Sequence, residues 1–284
     1  MKITGSERHA FVCAETDHRR LLWFDPEGRL LRTRVPEGVC FDVWALPDGT
    51  VLYTHYGLGS DGITVTDAED RVLFRYETEN HGEIFGCQPL SNGNFLLGEV
   101  QGSYLTEVDR TGAVISRFQI PYTGARAHEA LRMVRRTKNS YLAVQPGQQT
   151  ISVLDLSGKL LRQYSTRPNT FGAVLCPNGN LLYTHQTGAI ELDPDGNIVW
   201  ELTPEDVPEV NIRWLLGLQL LSNGNRVFCN WLGHDHHGEG IPFFEVTPDK
   251  ELVWTCDCTD IAAEPAVLQI LEEDPAAVCY TPLK

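Results

Sequence analysis

Short apolar segments separated by turn-forming residues recur along the whole chain, and residues 81–118 show the pattern most clearly. Four apolar segments, IFGCQPL, NFLLGEV, SYLTEV and AVISRF, are separated by turns rich in Asn, Asp and Gly. Because these residues tolerate the positive φ angles of tight hairpin turns, the stretch predicts four antiparallel strands. Four strands in about 40 residues are typical of one blade of a β-propeller.

The outer hairpin of this unit occurs six times, beginning at Trp23, Val65, Glu107, Val153, Glu191 and Glu245. The preceding turn and strand recur at 46–55, 90–99, 136–145, 176–185 and 221–230, with a degenerate copy at 6–15. The repeats predict an all-β fold, a six-bladed β-propeller with four antiparallel strands per blade, as one domain over residues 1–284. The predicted blades are 8–37 plus 265–272, 38–79, 80–122, 123–167, 168–206 and 207–260.

The two ends of the chain predict how the ring closes. The first copy lacks its innermost strand, whereas the apolar segment 265–275 has no partner strands of its own. We therefore expect residues 266–271 to form the innermost strand of the N-terminal blade. Closing the ring in this way removes open sheet edges.

The net charge and the cysteines limit the classes of partner and the cellular location that the sequence predicts. The chain has 23 Lys and Arg residues and 38 Asp and Glu residues, so its net charge is −15, and it contains no long basic run. This charge argues against nucleic acid and acidic membranes as partners. Neither a secretion signal nor a run of about 20 apolar residues is evident, so a cytoplasmic location is predicted. The eight cysteines show no CxxC pair and are predicted to be buried thiols.

A polar residue ends the second strand of every predicted blade. These residues are Glu15, His55, Glu99, Gln145, His185 and Asn230. By symmetry they are expected to surround one mouth of the central channel, although strand ends are also often polar simply because they meet solvent. The segments that lead into the innermost strands lie on the same face. They contribute His81, Glu83, His128, Glu129, Arg132, Asn169, Arg213 and Trp214.

A histidine-rich insertion lies between the last two hairpins, where His234, His236 and His237 flank Asp235. Imidazoles combined with carboxylate or amide oxygens bind transition metals, so a divalent metal (Mn, Zn or Ca) is a candidate cofactor. A loop of surface histidines is the alternative. The candidate metal ligands are His128, Gln145, His185, His234 and His236.

The polar mouth suggests acid–base chemistry on a small polar or sugar-like ligand. A metal or Arg132 would hold a carboxylate, a His or Tyr would remove the adjacent proton, and Glu83 or Glu99 would protonate the leaving oxygen. Paired carboxylates would instead support hydrolysis. The candidate catalytic residues are His81, Glu83, Glu99, His128 and Arg132. The candidate substrate-binding residues are Glu15, His55, Asn169, Arg213, Trp214 and Asn230. Trp44, Phe85, Phe171 and Trp214 are either core residues or sugar-stacking residues.

The repeat resembles that of the bacterial arylsulfotransferase-like and quinoprotein-like propeller proteins, with their PQQ-like repeats. The resemblance lies in HGE followed by LSNGN at 81–94 and in the hairpins DPDGNIVW (193–200) and TPDKELVW (247–254). The first family implies a nucleophilic His. The second implies eight blades, pyrroloquinoline quinone and often adjacent cysteines, so six blades without such a pair make that cofactor unlikely here.

Two functions follow as the main hypotheses. The first is a carbohydrate-active enzyme, a lyase or hydrolase acting on a small sugar or glycoside. The second is a non-catalytic propeller that binds a ligand or a protein. An arylsulfotransferase-like or redox enzyme is a minor third alternative.

Overall fold

Six antiparallel sheets form a closed ring, which confirms the predicted six-bladed β-propeller. This computed structural model describes residues 1–273. Each sheet is built mainly from one sequence repeat, because the turns between neighbouring apolar segments reverse the direction of the chain. The first sheet adds the C-terminal strand to the N-terminal repeat. Strands run from the centre of the ring outwards, so the first strand of each blade faces the channel.

The first third of the chain forms β1 (Lys2–Gly5), β2 (Phe11–Glu15), β3 (Arg20–Phe24), β4 (Leu30–Arg34), β5 (Val43–Ala45), β6 (Val51–His55), β7 (Gly62–Thr66) and β8 (Val72–Glu77). The middle third forms β9 (Ile84–Pro89), β10 (Phe95–Glu99), β11 (Tyr104–Val108), β12 (Val114–Gln119), β13 (Val134–Arg136), β14 (Ser140–Gln145), β15 (Thr150–Asp155) and β16 (Leu160–Ser165).

The last third forms β17 (Ala173–Leu175), β18 (Leu181–His185), β19 (Gly188–Leu192), β20 (Ile198–Leu202), β21 (Leu215–Leu220), β22 (Arg226–Asn230), β23 (Phe243–Val246), β24 (Leu252–Asp257) and β25 (Pro265–Ile270). Short 3-10 turns occupy Ala127–Glu129, Pro146–Gln148 and Pro208–Val210. From the inside outwards, the first blade is β25, β2, β3 and β4, and blades two to five follow in chain order from β5 to β20. The sixth blade comprises β21 to β24, with β1 outside β24.

Both ends of the described chain close the ring. The strand β25 pairs with β2, from Phe11 opposite Ile270 to Glu15 opposite Pro265, which confirms the predicted closure. In addition, β1 pairs with the outer edge of β24, and the Thr4 and Thr255 hydroxyls lie 2.6 Å apart. The sequence analysis did not anticipate this fifth strand, because four residues are too few to show a periodic pattern.

In five of the six outer hairpins, an Asp side chain closes its own turn. In the third blade, the Asp109 carboxylate accepts hydrogen bonds from the backbone N–H groups of Thr111 and Ala113, at 2.8 and 3.0 Å. Gly112 supplies the positive φ of +87° that the turn requires. Asp70 and Lys250 adopt this conformation in the second and sixth blades, with φ of 66° and 68°.

Three of the six junctions between blades contain a buried carboxylate from the third strand of one blade. Glu107 accepts a 2.6 Å hydrogen bond from the Asn94 amide of its own blade and a 2.8 Å hydrogen bond from Arg136 of the next blade. Glu191 repeats the arrangement, with Asn180 at 2.7 Å and Arg226 at 2.6 Å. We call this arrangement the inter-blade carboxylate clamp. It accounts for the recurrence of NGN followed by Glu in the sequence.

The sixth blade clamps the first with an imidazole instead of a guanidinium. Glu245 accepts a hydrogen bond from Asn225 at 2.6 Å, and its other oxygen lies 2.6 Å from Nε2 of His9. Apolar side chains fill the space between the blades, and the seven cysteines within residues 1–273 are buried thiols that form no disulfide, as predicted. Cys279 lies outside the described residues.

We expect Arg226→Met to destabilise the protein by about 3 kcal/mol, because it leaves the Glu191 carboxylate buried without its cation. Both side chains of this pair are less than a tenth exposed. Urea unfolding monitored by circular dichroism would measure the change. Arg71→Met is the matched control, since Arg71 pairs with Asp67 in an exposed turn and should alter the midpoint little. Equal midpoints for the two variants would contradict a stabilising role of the clamp.

Candidate functional site at the channel mouth

Three phenylalanines close the channel near the face where the second strands end. The ring centroids of Phe41 and Phe85 are 4.8 Å apart, and Phe171 lies 6.0 and 6.1 Å from them. These residues belong to the second, third and fifth blades, so their contacts cross the channel. We call the three residues the phenylalanine plug.

Backbone irregularities turn the inner strands towards the channel at this level. In the third blade, Gly98 pairs with Gly86 and Glu99 with Ile84, so Phe85 is an unpaired bulge residue. The strand register matches it with Phe41, Arg132, Phe171, Leu216 and Ala266 in the other blades. Arg132 is therefore the single charged member of this six-residue ring.

Glycines next to the plug bring neighbouring inner strands close together. A Cβ atom on Gly86 would lie 2.7 Å from the backbone nitrogen of Val134, and one on Gly172 would lie 2.7 Å from the carbonyl oxygen of Leu216. Only glycine permits these approaches, so the FG dipeptides at 85–86 and 171–172 combine a channel-facing ring with a close backbone contact.

The half-buried guanidinium of Arg132 lies on the plug. Its Cζ atom is 4.2 Å from the Phe85 centroid and 5.8 Å from that of Phe171. It donates to the carbonyl oxygen of His128 and forms no ion pair with any carboxylate within residues 1–273. Burial lowers the pKa of Arg132 to about 10, so it remains a cation at neutral pH. Its remaining N–H groups are free to bind an anion.

A histidine–carboxylate pair stands beside this guanidinium. Nδ1 of His128 lies 2.6 and 2.7 Å from the two carboxylate oxygens of Glu83, and its ring centroid is 5.3 Å from that of Phe85. The carboxylate favours the tautomer that carries a proton on Nδ1. Nε2, on a side chain that is 55% exposed, is then an acceptor that is open to the mouth.

Tyr56 completes a group of three polar side chains around the Phe85 ring. Its ring lies 5.7 Å from Phe85 and 6.1 Å from Phe41, and its hydroxyl has no hydrogen-bond partner in the described part of the chain. Burial, followed by the charge of Glu83, raises the pKa of Tyr56, so the phenol keeps its proton. An imidazole base, a cation and a proton donor thus share one aromatic platform.

Two tryptophans form another wall of the mouth. The rings of Trp214 and Trp231 are 5.8 Å apart, and Trp231 is 5.2 Å from the ring of His234. Nδ1 of His234 lies 2.6 Å from the buried carboxylate of Glu264. A His–Glu pair thus also lies at the junction of the sixth and first blades.

The predicted column of polar strand ends is buried within the blades, with exposures of 0 to 7%. Glu15 pairs with Arg20 at 3.0 Å, and Glu99 pairs with Arg117 at 2.7 Å. The Gln145 amide donates to the carbonyl of Pro121, while the Asn230 amide oxygen accepts from backbone N–H groups at residues 213 and 214. These four side chains therefore tie loops and strands together.

The other two members of the column, His55 and His185, follow identical Tyr-Thr dipeptides in opposite blades. His55 hydrogen-bonds through Nδ1 to the Ser60 hydroxyl at 3.1 Å, whereas Nδ1 of His185 accepts a 3.4 Å hydrogen bond from the Thr187 N–H. In both residues Nε2 is buried and lacks a partner within the described residues. Burial, with a smaller contribution from Arg167, lowers the pKa of His185 to about 4.

The structure does not gather the predicted metal ligands. Across residues 1–273, the one set of three His, Cys, Asp or Glu ligand atoms within 4.8 Å of one another is Glu15, Asp17 and His18. His128 and His234 pair with different carboxylates, and His236 pairs with Glu239 at 2.9 Å. The sequence places these residues on one face, but the distances between blades separate them.

The remaining predicted residues lie at the rim of the mouth and have partners there. Nδ1 of His81 lies 3.4 Å from Asp61, and the Arg213 guanidinium pairs with Glu239 at 2.8 Å. The Asn169 amide donates to Gln186 at 2.8 Å. Sequence reasoning named His128, Glu83 and Arg132 but missed Phe41, Tyr56 and Glu264. Aligning the six inner strands would have found Phe41; no sequence signal marks the other two.

Beyond the plug, the channel holds a cavity of about 60 Å³ lined by Asp42, Arg135 and Gln219 among others. The Arg135 guanidinium donates to Asp42 at 2.6 Å. The Gln219 amide oxygen accepts a hydrogen bond from the backbone N–H of Ile270. These polar groups satisfy one another and join inner strands of different blades.

No family model matches the sequence, and no curated protein matches it. Among solved structures, a protein of unknown function from Bacteroides caccae has a TM-score of 0.81 and 19% identity, over 92% of this chain and 98% of that chain. Virginiamycin B lyase from Staphylococcus aureus has a TM-score of 0.66 and 13% identity, over 94% of this chain and 92% of that chain. That structure is of a catalytically inactive histidine-to-alanine variant with quinupristin. A chain of a nidogen/laminin complex has a TM-score of 0.66 and 11% identity, over 96% of this chain and 99% of that chain.

At these identities the similarities show the fold alone. They confirm the fold-level resemblance to propeller proteins. Within residues 1–273 no helix is long and apolar enough to cross a bilayer. The predicted cytoplasmic location and the predicted partners stay predictions.

The lowered pKa of His185 predicts a loss of stability on acidification. The unfolded chain binds a proton at this residue near pH 6.5, whereas the folded chain does so only near pH 4, so stability falls as the pH drops through this range. We expect the contribution of His185 to the free energy of unfolding to fall by about 2 kcal/mol between pH 7.5 and pH 5. Urea unfolding of His185→Gln should show a correspondingly smaller pH dependence.

The control for this experiment is His18→Gln, because the His18 side chain is 59% exposed in a hairpin turn. It should retain the pH dependence of the unchanged protein. An unchanged slope in His185→Gln would show that the buried imidazole is protonated as readily in the folded as in the unfolded chain.

Proposed function

We propose that this propeller is a lyase that removes a proton next to a carboxylate on a small substrate and expels a leaving group from the neighbouring carbon. One observation carries the proposal. The imidazole of His128, the guanidinium of Arg132 and the phenol of Tyr56 all lie 4.2 to 5.7 Å from the ring of Phe85. These are a base, an anion-binding group and an acid.

Arg132 is the binding group for the substrate carboxylate. Its guanidinium has no carboxylate partner within the described residues and lies on aromatic rings that exclude water. A planar guanidinium matches a carboxylate with two parallel hydrogen bonds. When the adjacent C–H bond breaks, negative charge develops on the carboxylate oxygens, and Arg132 stabilises this charge.

His128 is the base in this mechanism. Nε2 accepts the proton from the carbon atom next to the carboxylate, and Glu83 stabilises the imidazolium through Nδ1. The electron pair of the C–H bond forms a carbon–carbon double bond as the bond to the leaving oxygen breaks. Tyr56 donates its proton to that oxygen, a role for which its raised pKa suits it. Glu83 and Glu99, the predicted acids, are engaged by His128 and by Arg117.

The predicted substrate class is a small acidic sugar or glycoside, and it stays a prediction. A propeller of similar fold, virginiamycin B lyase, has an inactive histidine-to-alanine variant, which supports lyase chemistry by analogy only.

The phenylalanine plug supports the second hypothesis, a non-catalytic binding propeller. The contacts of Phe41, Phe85 and Phe171 confine any ligand to a shallow site, and the polar strand ends are buried in structural hydrogen bonds. In this alternative, Arg132 binds an anionic ligand and His128 contributes a hydrogen bond without transferring a proton.

The predicted divalent metal remains a separate proposal, and none of the steps above uses it. His234 with Glu264 is the pair best suited to hold such an ion, because an imidazole and a carboxylate are ligands that Zn and Mn accept. Elemental analysis of purified protein would detect about one equivalent, which His234→Ala should abolish. A metal content equal in the two proteins would contradict this location.

We expect His128→Ala and Tyr56→Phe each to lower the rate of elimination by about 100-fold or more, because each removes a group that transfers a proton. The substrates to test are digalacturonate and 3-acetoxy-3-phenylpropanoate, whose elimination products carry a new double bond that absorbs ultraviolet light. Glu83→Gln should lower the rate and shift its pH profile, because it removes the charge that supports the imidazolium.

The control is His18→Ala, which removes a 59% exposed histidine that none of the proposed steps uses. Proton exchange in D2O, followed by nuclear magnetic resonance, separates the two steps. Tyr56→Phe should still exchange the proton next to the carboxylate, whereas His128→Ala should not. Binding of both carboxylates without exchange or elimination would favour the non-catalytic hypothesis.

A further inference from the structure

We infer that the ligand of this mouth carries an apolar, preferably planar, group beside its carboxylate, and is not a sugar acid whose surface is mainly hydroxyl groups. The inference rests on the proposed function, because it specifies the substrate class of the same site. The observations that carry it are the chemical composition of the ring around Arg132 and the pairing of the polar groups at the rim.

The floor of the mouth offers a ligand almost no hydrogen bonds. Five of the six equivalent inner-strand residues, Phe41, Phe85, Phe171, Leu216 and Ala266, have apolar side chains. Four of them are buried in one continuous apolar cluster, and the half-buried Phe41 packs against it. A hydroxyl group that displaces water from such a surface loses hydrogen bonds without replacing them. The floor therefore favours an apolar group next to the carboxylate held by Arg132.

The walls of the mouth are also aromatic. Phe41, Tyr56, Tyr122, Trp214 and Trp231 are half-buried residues that pack on the central apolar cluster from its solvent side. Phe41 and Tyr56 stand on the second blade, whereas the tryptophans stand on the sixth, so aromatic surfaces lie on two sides of the ring centre. Exposed apolar surface gathered at a concave site is typical of ligand-binding sites.

The polar side chains that would otherwise bind sugar hydroxyls already have partners. Asn169 binds Gln186, Arg213 binds Glu239, and Asn230 binds backbone groups. The polar strand ends that suggested a sugar site in the sequence are at most 7% exposed. His128, Arg132 and Tyr56, which surround Phe85, keep polar atoms for a ligand, and the proposed reaction uses them.

Isothermal titration calorimetry with three small probes tests the inference directly on the unchanged protein. The probes are phenylacetate, galacturonate and benzyl alcohol, which present a carboxylate with an apolar group, a carboxylate with hydroxyl groups, and an apolar group without a carboxylate. We expect phenylacetate to bind about tenfold more tightly than galacturonate, because one apolar group in a matching site accounts for a factor of this size. Benzyl alcohol should bind less tightly than phenylacetate.

Variants then assign the two parts of the ligand to residues. Trp214→Ala should weaken the binding of phenylacetate about fivefold and leave the affinity for galacturonate unchanged, because the substitution removes apolar contact area only. Trp200→Ala is the matched control, since the Trp200 indole bonds to the carbonyl of Pro248 on the outside of the fifth blade. Arg132→Met should abolish the preference for phenylacetate over benzyl alcohol. Circular dichroism would verify that each variant is folded.

The outcomes separate this inference from the proposed function. Galacturonate binding as tightly as phenylacetate, or more tightly, would overturn the apolar substrate class and leave the lyase proposal standing. Absence of binding by both carboxylates, or equal binding of phenylacetate and benzyl alcohol, would remove the role of Arg132 and with it the proposed function. Tighter binding of phenylacetate than of galacturonate and benzyl alcohol, with loss of the preference over benzyl alcohol in Arg132→Met, would support both the inference and the proposed function.

Discussion

The inter-blade carboxylate clamp is the interaction on which the ring depends. A propeller blade buries one face against each neighbour, and apolar packing alone does not fix the angle between two flat sheets. A buried glutamate such as Glu191, held by its own blade and by a cation of the next, sets this angle at a single point. An ion pair of this kind adds little net stability when complete, but it strongly penalises arrangements in which one partner is left alone.

The same angle brings the six inner strands to the centre, where space is smallest. Glycines at 86 and 172 allow backbones of neighbouring blades to approach at distances that no Cβ would permit. The bulges beside them direct Phe85 and its equivalents into the channel, and the phenylalanine plug closes it. Closure confines the chemistry to one face. It also supplies the dry aromatic surface on which the guanidinium of Arg132 is held, which strengthens its interaction with an anion.

His128 and Glu83 show how loop and strand contributions combine at that face. His128 lies in a short 3-10 turn between the third and fourth blades, whereas Glu83 immediately precedes β9. Their hydrogen bond ties the turn to the rigid ring, so the imidazole is oriented before any ligand arrives. Arg132, four residues after His128, returns a hydrogen bond to the same turn and reaches the plug. Two groups from one short stretch of sequence, His128 and Arg132, thus converge on Phe85, and Glu83 orients the first of them.

The sequence alone determined the number of blades, the four strands in each and the closure by the C-terminal strand. This information is local: Asp109 and Gly112 close their turn wherever it stands, and each repeat shows its strands by its own periodicity. It also identified His128, Glu83 and Arg132 as residues of one face. Only the tertiary structure decided which polar residues reach a ligand, because the packing of neighbouring strands and loops decides whether a side chain at a strand end meets solvent. Glu99 and Asn230 were expected at the mouth by symmetry yet are buried by Arg117 and by the backbone at 213–214, while Tyr56 and Phe41 line the mouth.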